Sequence, residues 1–346
     1  MTERNTAKKE LLLFLAIAYG VTFLMGIPMW YGNLKALDTS AFPNAQMMYP
    51  ATGVMLAYLV TRKNERELPK WFYKIFILLT AVMAVCAVLS VAAPKQIAMP
   101  TGGEISVWTM VIQYILLGGS ILCWVALLAS GKDAREAYGL RWKNWKSSVA
   151  CILLFLALYF LRVGIAFLAS GETKMLADIM TNHYAWVYML TMPLNFFFVF
   201  AAFFGEEYGW RYYLQPLLQE RFGLRKGVLL LGVVWALWHL PVDFFYYTSP
   251  DKGLIMTASQ LITCVSLAIF FAYAYSKTNN IWVPVVMHFL NNNLAPVITN
   301  TYSADVLENQ DVTWAMLPSA LLLNGLLFGF FLLSKEFREK KEDAPV

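Results

Sequence analysis

The sequence predicts an all-α protein, a polytopic transmembrane helix bundle of about ten spans with both termini cytoplasmic. Three observations predict it. Apolar runs near the ~20 residues that cross a bilayer as a helix recur along the whole chain. Charged residues make up only 14% of the 346 positions, against about 25% in a soluble protein, while hydrophobic residues reach 59%. Mean hydropathy is +0.54. Finally, Lys and Arg alternate from one connection to the next, as they do across a membrane.

The spans fall at roughly 11–31, 45–61, 71–93, 106–129, 148–169, 186–206, 228–246, 256–276, 280–298 and 313–334. The run at 45–61 is short and contains Pro50. The first run is longer than a signal-peptide core, so it reads as a span rather than a leader. Of the 27 Lys and Arg residues, only Lys35, Lys95, Lys174 and Lys252 fall in connections on one side. Arg162 lies inside a span, toward its outer part, where snorkelling to the interface is expected. All the others, the C-terminal Lys340 and Lys341 included, fall on the opposite side. The positive-inside rule assigns that side to the cytoplasm, and an even number of spans then puts both termini there. The net charge of +5 follows from this topology and implies no nucleic-acid partner. Cys86, Cys123, Cys151 and Cys264 all sit in apolar runs without framework spacing, as buried small hydrophobes do.

One stretch breaks the apolar pattern in an informative way. Phe203-Phe204-Gly205-Glu206-Glu207-Tyr208-Gly209-Trp210-Arg211 puts two carboxylates and an arginine at the end of a spanning run. Charges at that depth are costly, so they are usually paired and functional. On a helix, Glu207 and Arg211 are spaced i, i+4 and share a face. Glu206 points about 100° away from Glu207. One carboxylate is thus available to Arg211 while the other faces a different cavity. Gly205 and Gly209, also four apart, allow a neighbouring helix to approach closely. The segment from Arg211 to Arg225 is expected to continue the helix into the cytoplasmic interface, with Tyr212, Tyr213, Leu214, Leu217, Leu218 and Phe222 on the membrane surface.

The chain has three histidines. His183 precedes the sixth span, in an exposed connection. His239 and His288 lie inside spans. Counted from the cytoplasmic ends of their helices, they sit at ~16 Å and ~12 Å depth. Glu206 lies at the cytoplasmic end of its own span, so the three groups can meet in the cytoplasmic half of the membrane. His288 and Asn292 are i, i+4 and share a face. Pro241 and Pro284 interrupt the helices beside the two histidines, and Pro296 frees the carbonyl of Asn292. Irregular backbone at membrane depth belongs where it is buried or lines a wet cavity.

Such a set supports hydrolysis of a peptide bond without a Ser or Cys nucleophile. A carboxylate near a histidine can activate water, and desolvation makes it a stronger base. An asparagine amide can donate to a developing oxyanion. Two histidines and a carboxylate are also a ligand set for catalytic zinc, although the HExxH helix of common zinc peptidases is missing.

The pattern Glu206-Glu207-x-x-x-Arg211, then Trp235-x-x-x-His239, then His288-x-x-x-Asn292 resembles the three motifs of the CPBP intramembrane proteases, the type II CAAX prenyl endopeptidases and their bacterial Abi relatives. The resemblance covers about residues 186–300. It implies a helical bundle with a cytoplasm-facing cavity in the cytoplasmic membrane of a bacterium. It divides one integrated membrane domain into N-terminal helices (1–185), catalytic core helices (186–300), and a last span with a basic tail (301–346). It implies that Glu206 activates water together with His239, that Glu207 and Arg211 support them, and that His288 and Asn292 stabilise the oxyanion. The second motif commonly begins with Phe, where this chain has Trp235. No cofactor is expected first, and zinc held by Glu206, His239 and His288 is the alternative. The implied substrate is a membrane-embedded or lipidated peptide or protein in the lipid bilayer, for CAAX-type processing, peptide maturation or bacteriocin immunity. Two other functions compete: a non-catalytic membrane scaffold of the same fold, and a secondary transporter. Transporters often show two similar halves with paired broken helices, and no such repeat is visible here.

Overall fold

The computed structural model describes residues 3–98, 104–302 and 306–338. The tail basic residues Lys340 and Lys341 therefore lie outside the described residues. The described chain is helical almost throughout. In order, the helices are α1 (Glu3–Leu15), α2 (Thr22–Leu34), α3 (Ala41–Gln46), α4 (Tyr49–Thr61), α5 (Lys70–Ala92), α6 (Val107–Ala129), α7 (Gly131–Ala137), α8 (Trp145–Ser170), α9 (Thr173–Thr181), α10 (His183–Glu207), α11 (Gln215–Phe222), α12 (Leu224–Trp238), α13 (Leu240–Phe245), α14 (Gly253–Thr278), α15 (Trp282–Asn293), α16 (Ala295–Ile298) and α17 (Leu317–Leu327). Two short strands, Gln96–Ala98 and Glu104–Ser106, pair antiparallel in the connection from α5 to α6.

Among the described residues, seven helical stretches are long and apolar enough to cross a membrane: Arg4–Leu34, Lys70–Ala92, Val107–Ala129, Trp145–Ser170, His183–Phe222, Leu224–Phe245 and Pro250–Thr278. The other three expected spans form shorter or broken helices. The run at 45–61 is split between α3 and α4, that at 280–298 between α15 and α16, and the last apolar run holds only α17 flanked by 3-10 turns. The breaks follow the sequence. Pro50 starts α4 and Pro296 starts α16, positions where the missing N–H costs nothing.

Hydrogen bonds between connections define two ends of the bundle. At one end Thr39 Oγ1 donates to the Phe245 carbonyl (3.0 Å), Thr109 Oγ1 to Asp38 (2.7 Å) and the Gln310 amide to the Tyr247 carbonyl (2.6 Å). At the other, Asn144 donates to the Thr278 carbonyl (2.7 Å), Asn280 to the Lys143 carbonyl (3.0 Å), and the Trp282 indole to the Leu140 carbonyl (2.9 Å). Lys35, Lys95, Lys174 and Lys252 belong to the first, charge-poor end. At the charge-rich end, Lys143 and Arg141 hold the Glu136 carboxyl below its ordinary range.

Several polar groups inside the bundle find partners within it, as a membrane favours. Thr52 and Thr80 bond to each other between α4 and α5 at 2.7 Å, and Thr80 Oγ1 also lies 2.9 Å from its own Phe76 carbonyl. Arg162 does not snorkel as expected. Its guanidinium turns onto α17, donating to Asn324 Oδ1 at 3.0 Å and lying 4.8 Å from the Tyr159 ring. A buried amide and an aromatic face give the cation partners without a path to the interface. All four cysteines are buried and free.

Candidate active site

α10 carries the carboxylates, and its course is set by glycine. A Cβ at Gly205 would collide with the Met47 carbonyl, and one at Gly209 with Pro50. These two bare positions let α10 lie against the α3–α4 backbone, as the i, i+4 glycine spacing suggested. Beyond Glu207 the helix widens into a π-helical segment, Tyr208–Leu214, before α11 resumes the regular pitch. π-segments inside α-helices recur at functional sites.

This segment is interior, not interfacial. Tyr208, Trp210, Arg211, Tyr213 and Leu214 are all buried. Tyr212, half-buried, stacks on Tyr208 at 4.5 Å, and Tyr208 stacks on Phe204 at 4.9 Å. The surface placement expected for Tyr212, Tyr213 and Leu214 is thus corrected, and only Phe222 of that group is exposed. The reason is that α11 turns back at Gly223, whose φ of +83° suits glycine, and α12 returns alongside it.

Glu206 and Glu207 point to different partners. Glu207, with no exposure, reaches Arg211 Nε through Oε2 at 3.1 Å and His288 Nδ1 through Oε1 at 2.8 Å. The Arg211 guanidinium, equally buried, lies over the Trp235 ring at 4.4 Å and over Phe271 at 5.3 Å. None of its nitrogens makes a well-directed hydrogen bond among the described residues, so charge and aromatic faces hold it. Glu206 Oε2 accepts from the Trp235 indole Nε1 at 2.7 Å. Its Oε1 has no hydrogen-bond partner among the described residues.

His239 stands at the break between α12 and α13, where Pro241 opens the new helix. Its Nδ1 donates to the Trp235 carbonyl at 2.9 Å, which leaves Nε2 as the acceptor atom. Trp235 therefore touches both Glu206 and His239. His288, on α15, is framed by Phe203 (5.4 Å), Trp235 (5.5 Å) and Phe271 (6.2 Å). Asn292, one turn further, accepts from Asn291 Nδ2 at 3.0 Å through Oδ1, so its own NH2 stays available.

The structure brings Glu206, Glu207, Arg211, His239 and His288 into one buried cluster around Trp235. Asn292 lies at its edge. His183, by contrast, is exposed at the start of α10. Sequence reasoning registered Trp235 only as an aromatic. The signal was its indole N–H, a donor that needs an acceptor when buried. Asp243, one turn beyond His239, is a further buried carboxylate, with neither oxygen in a well-directed hydrogen bond among the described residues.

Glu206, His239 and His288 were expected as the zinc set if zinc is used. Among the described residues, no group of three or more His, Cys, Asp or Glu side chains is disposed to hold a metal ion. Glu206 Oε2, His239 Nδ1 and His288 Nδ1 are turned to Trp235 or Glu207, which leaves one further oxygen or nitrogen on each side chain.

A cavity of about 370 Å³ adjoins the cluster. It runs from Phe203 and Asn292 to Tyr188, Tyr246 and Leu307, toward the charge-poor end. A cytoplasm-facing cavity was expected. A second cavity, of about 540 Å³, lies at the charge-rich end among Lys132, Arg135, Arg141 and Trp282, while Tyr208, Trp210 and Tyr213 of the π-helical segment that follows Glu206 are buried.

Residues 185–294 match the family model described as type II CAAX prenyl endopeptidase Rce1-like. The chain is similar to a CAAX prenyl protease 2 of Methanococcus maripaludis, at 28% identity over 34% of this chain and 45% of that protein's length. It is also similar to the aromatic amino acid exporter YddG of Escherichia coli, at 23% identity over 89% of this chain and 90% of that protein. No solved structure matches. All the clustered residues and Asn292 fall within the matched segment of this multi-pass membrane chain.

Proposed function

We propose that this protein is an intramembrane endopeptidase that hydrolyses a peptide bond in a membrane-associated peptide or protein. The observation that carries the reading is the shared anchor of Glu206 and His239 on Trp235. The indole fixes one carboxylate oxygen and the carbonyl fixes one imidazole nitrogen. Glu206 Oε1 and His239 Nε2 remain as the two free basic atoms.

Water bound between them loses a proton to one of these atoms, and its oxygen attacks the scissile carbonyl carbon. The new oxyanion is met by the Asn292 NH2 and by His288 Nε2, which donates when the ring is an imidazolium. Glu207 accepts from His288 Nδ1 and so fixes the ring's orientation. Collapse breaks the C–N bond, and the proton first taken from water goes to the leaving amine. Arg211 balances Glu207, so the pair is neutral before His288 is charged. No step runs through a metal.

Replacing Glu206 by Gln tests the reading. Cleavage of a membrane peptide should fall by about 10²–10⁴-fold at unchanged protein level. Unchanged cleavage in that variant would remove Glu206 from the reaction.

The likeness to the exporter over most of the chain favours a second reading, a membrane transporter of small molecules. In that case the purified protein in vesicles cleaves no peptide and moves solute across the bilayer, with or without Glu206. Physiological roles in CAAX-type processing, peptide maturation or bacteriocin immunity are separated by the peptides that accumulate when the protein is deleted.

A further inference from the structure

Two cavities follow one another along α15. The one of about 540 Å³ at the charge-rich end is rimmed by Lys132, Arg135 and Arg141 and walled by Trp124, Trp282 and Phe196. No carboxylate lines it. The next, of about 440 Å³, lies between α8 and α10 with α15 as its floor, and none of its lining residues has a polar side chain. Phe196 and Val286 border both, so the two adjoin. From Trp282 to Leu294 the floor rises ~18 Å, close to the depth of one leaflet's hydrocarbon, half of ~30 Å.

The charges at the rim are not used up within the protein. Lys132 and Arg135 on α7 are spaced i, i+3 and share a face. Neither makes an ion pair among the described residues, and Arg135 Nε donates only to the Gly131 carbonyl, at 3.1 Å. Two acids stand nearby. Asp133 is exposed and off the lining, and Glu136 is engaged by Arg141 and Lys143. Against these two, Lys132, Arg135, Arg141 and Lys143 leave a surplus of two positive charges. The wall below is apolar in effect. Trp124 stacks on Trp282 at 5.1 Å, and their indole N–H groups already donate to the Phe197 and Leu140 carbonyls at 3.0 and 2.9 Å.

We propose that this groove binds one anionic phospholipid of the charge-rich leaflet, with its phosphate among Lys132, Arg135 and Arg141 and an acyl chain in the apolar cavity between α8 and α10. Basic pockets between spanning helices hold anionic headgroups in this way. A zwitterionic headgroup brings its own cation to a rim that already has cations in surplus. A free phosphate satisfies the rim and leaves the apolar cavity without an occupant. The site includes none of Glu206, His239 and His288, so the proposal stands apart from the endopeptidase reading.

The test measures binding of dioleoyl phosphatidylglycerol to the full-length protein in detergent, by native mass spectrometry and by thermal shift. Dioleoyl phosphatidylcholine and glycerol phosphate are the comparison probes. Phosphatidylglycerol should bind saturably and raise the melting temperature, and neither comparison probe should. Lys132→Gln combined with Arg135→Gln should weaken that binding about 10–30-fold. Lys70→Gln combined with Lys74→Gln removes as much charge from the same end, away from the groove, and should leave it unchanged. Leu156→Trp, which fills the apolar cavity from α8, should abolish retention of the lipid. Met189→Trp fills it from α10 and replaces that variant if it does not fold. Equal binding of phosphatidylcholine, or undiminished binding by the Lys132 and Arg135 double variant, overturns the proposal. Glycerol phosphate that binds as well, indifferent to the tryptophan variants, shows a phosphate site without a lipid and also overturns it. Displacement of phosphatidylglycerol by a lipidated peptide, with cleavage of that peptide lost in Leu156→Trp, assigns the groove to substrate instead.

Discussion

The Trp235 indole donates to Glu206 at 2.7 Å, and the residue that makes this bond stands where the related motif commonly has Phe. Phenylalanine fills the same space but has no N–H. In this chain the carboxylate is therefore oriented by a donor that an aromatic ring alone does not supply. The Trp235 carbonyl orients His239 as well, but any residue at 235 keeps that second bond.

Trp235→Phe separates the two roles. A hydrogen bond to a charged group contributes about 1.5–3 kcal/mol, so cleavage should slow by roughly 10–100-fold. The protein level and melting temperature should change little, because the ring volume is kept. An unaltered rate in a peptide-cleavage assay would show that Glu206 needs no indole.

Arg211 and Glu207 form a buried pair at 3.1 Å with no exposure on either side. Removing one partner strands the other, at a cost of about 3–5 kcal/mol. Arg211→Met should lower the melting temperature in detergent markedly. The double change Arg211→Met with Glu207→Gln should recover much of the loss, because no charge is then left unpaired. Additive losses would show that the two side chains do not act as a pair.

Metal removal bears on the reaction directly. Peptide cleavage should persist after exhaustive chelation, with metal content measured below stoichiometry. Loss of cleavage on chelation and its return with zinc alone would replace the water activation proposed for Glu206 and His239.

The glycines on α10 should tolerate nothing larger. Gly205→Ala should reduce folded protein sharply, because its Cβ meets the Met47 backbone, which cannot rotate away. Gly118→Ala on α6 is the control: its Cβ meets nothing within 4 Å. There the change should be neutral or stabilising by up to ~1 kcal/mol. Equal behaviour of the two variants in a thermal-stability assay would mean that α10 does not depend on close approach.

The fold class and most of the cluster were legible in the chain itself. Apolar runs must become helices in a bilayer, because each backbone group has to be satisfied within its own segment. The i, i+4 spacing alone makes Glu207 and Arg211 partners. The two histidines within spans stood out because ionisable groups there are rare. Contacts between segments were not legible. Nothing in the spacing told that His288 would bond Glu207 rather than stand free, or that Arg162 would turn to Asn324.

The local pattern of this sequence determined that it is a helical membrane protein and which charged groups are buried together. Only the tertiary structure decided that Trp235 links Glu206 to His239, that the π-helical segment is buried, and that a cavity runs from Phe203 and Asn292 toward Tyr246 and Leu307. Hydrophobic periodicity and charge bias act along a single helix and can be read one segment at a time. A cavity is the space several helices leave between them. Its position depends on how closely the α10 glycines let α3 and α4 approach, and on where α11 turns back. Those are properties of packing between distant parts of the chain.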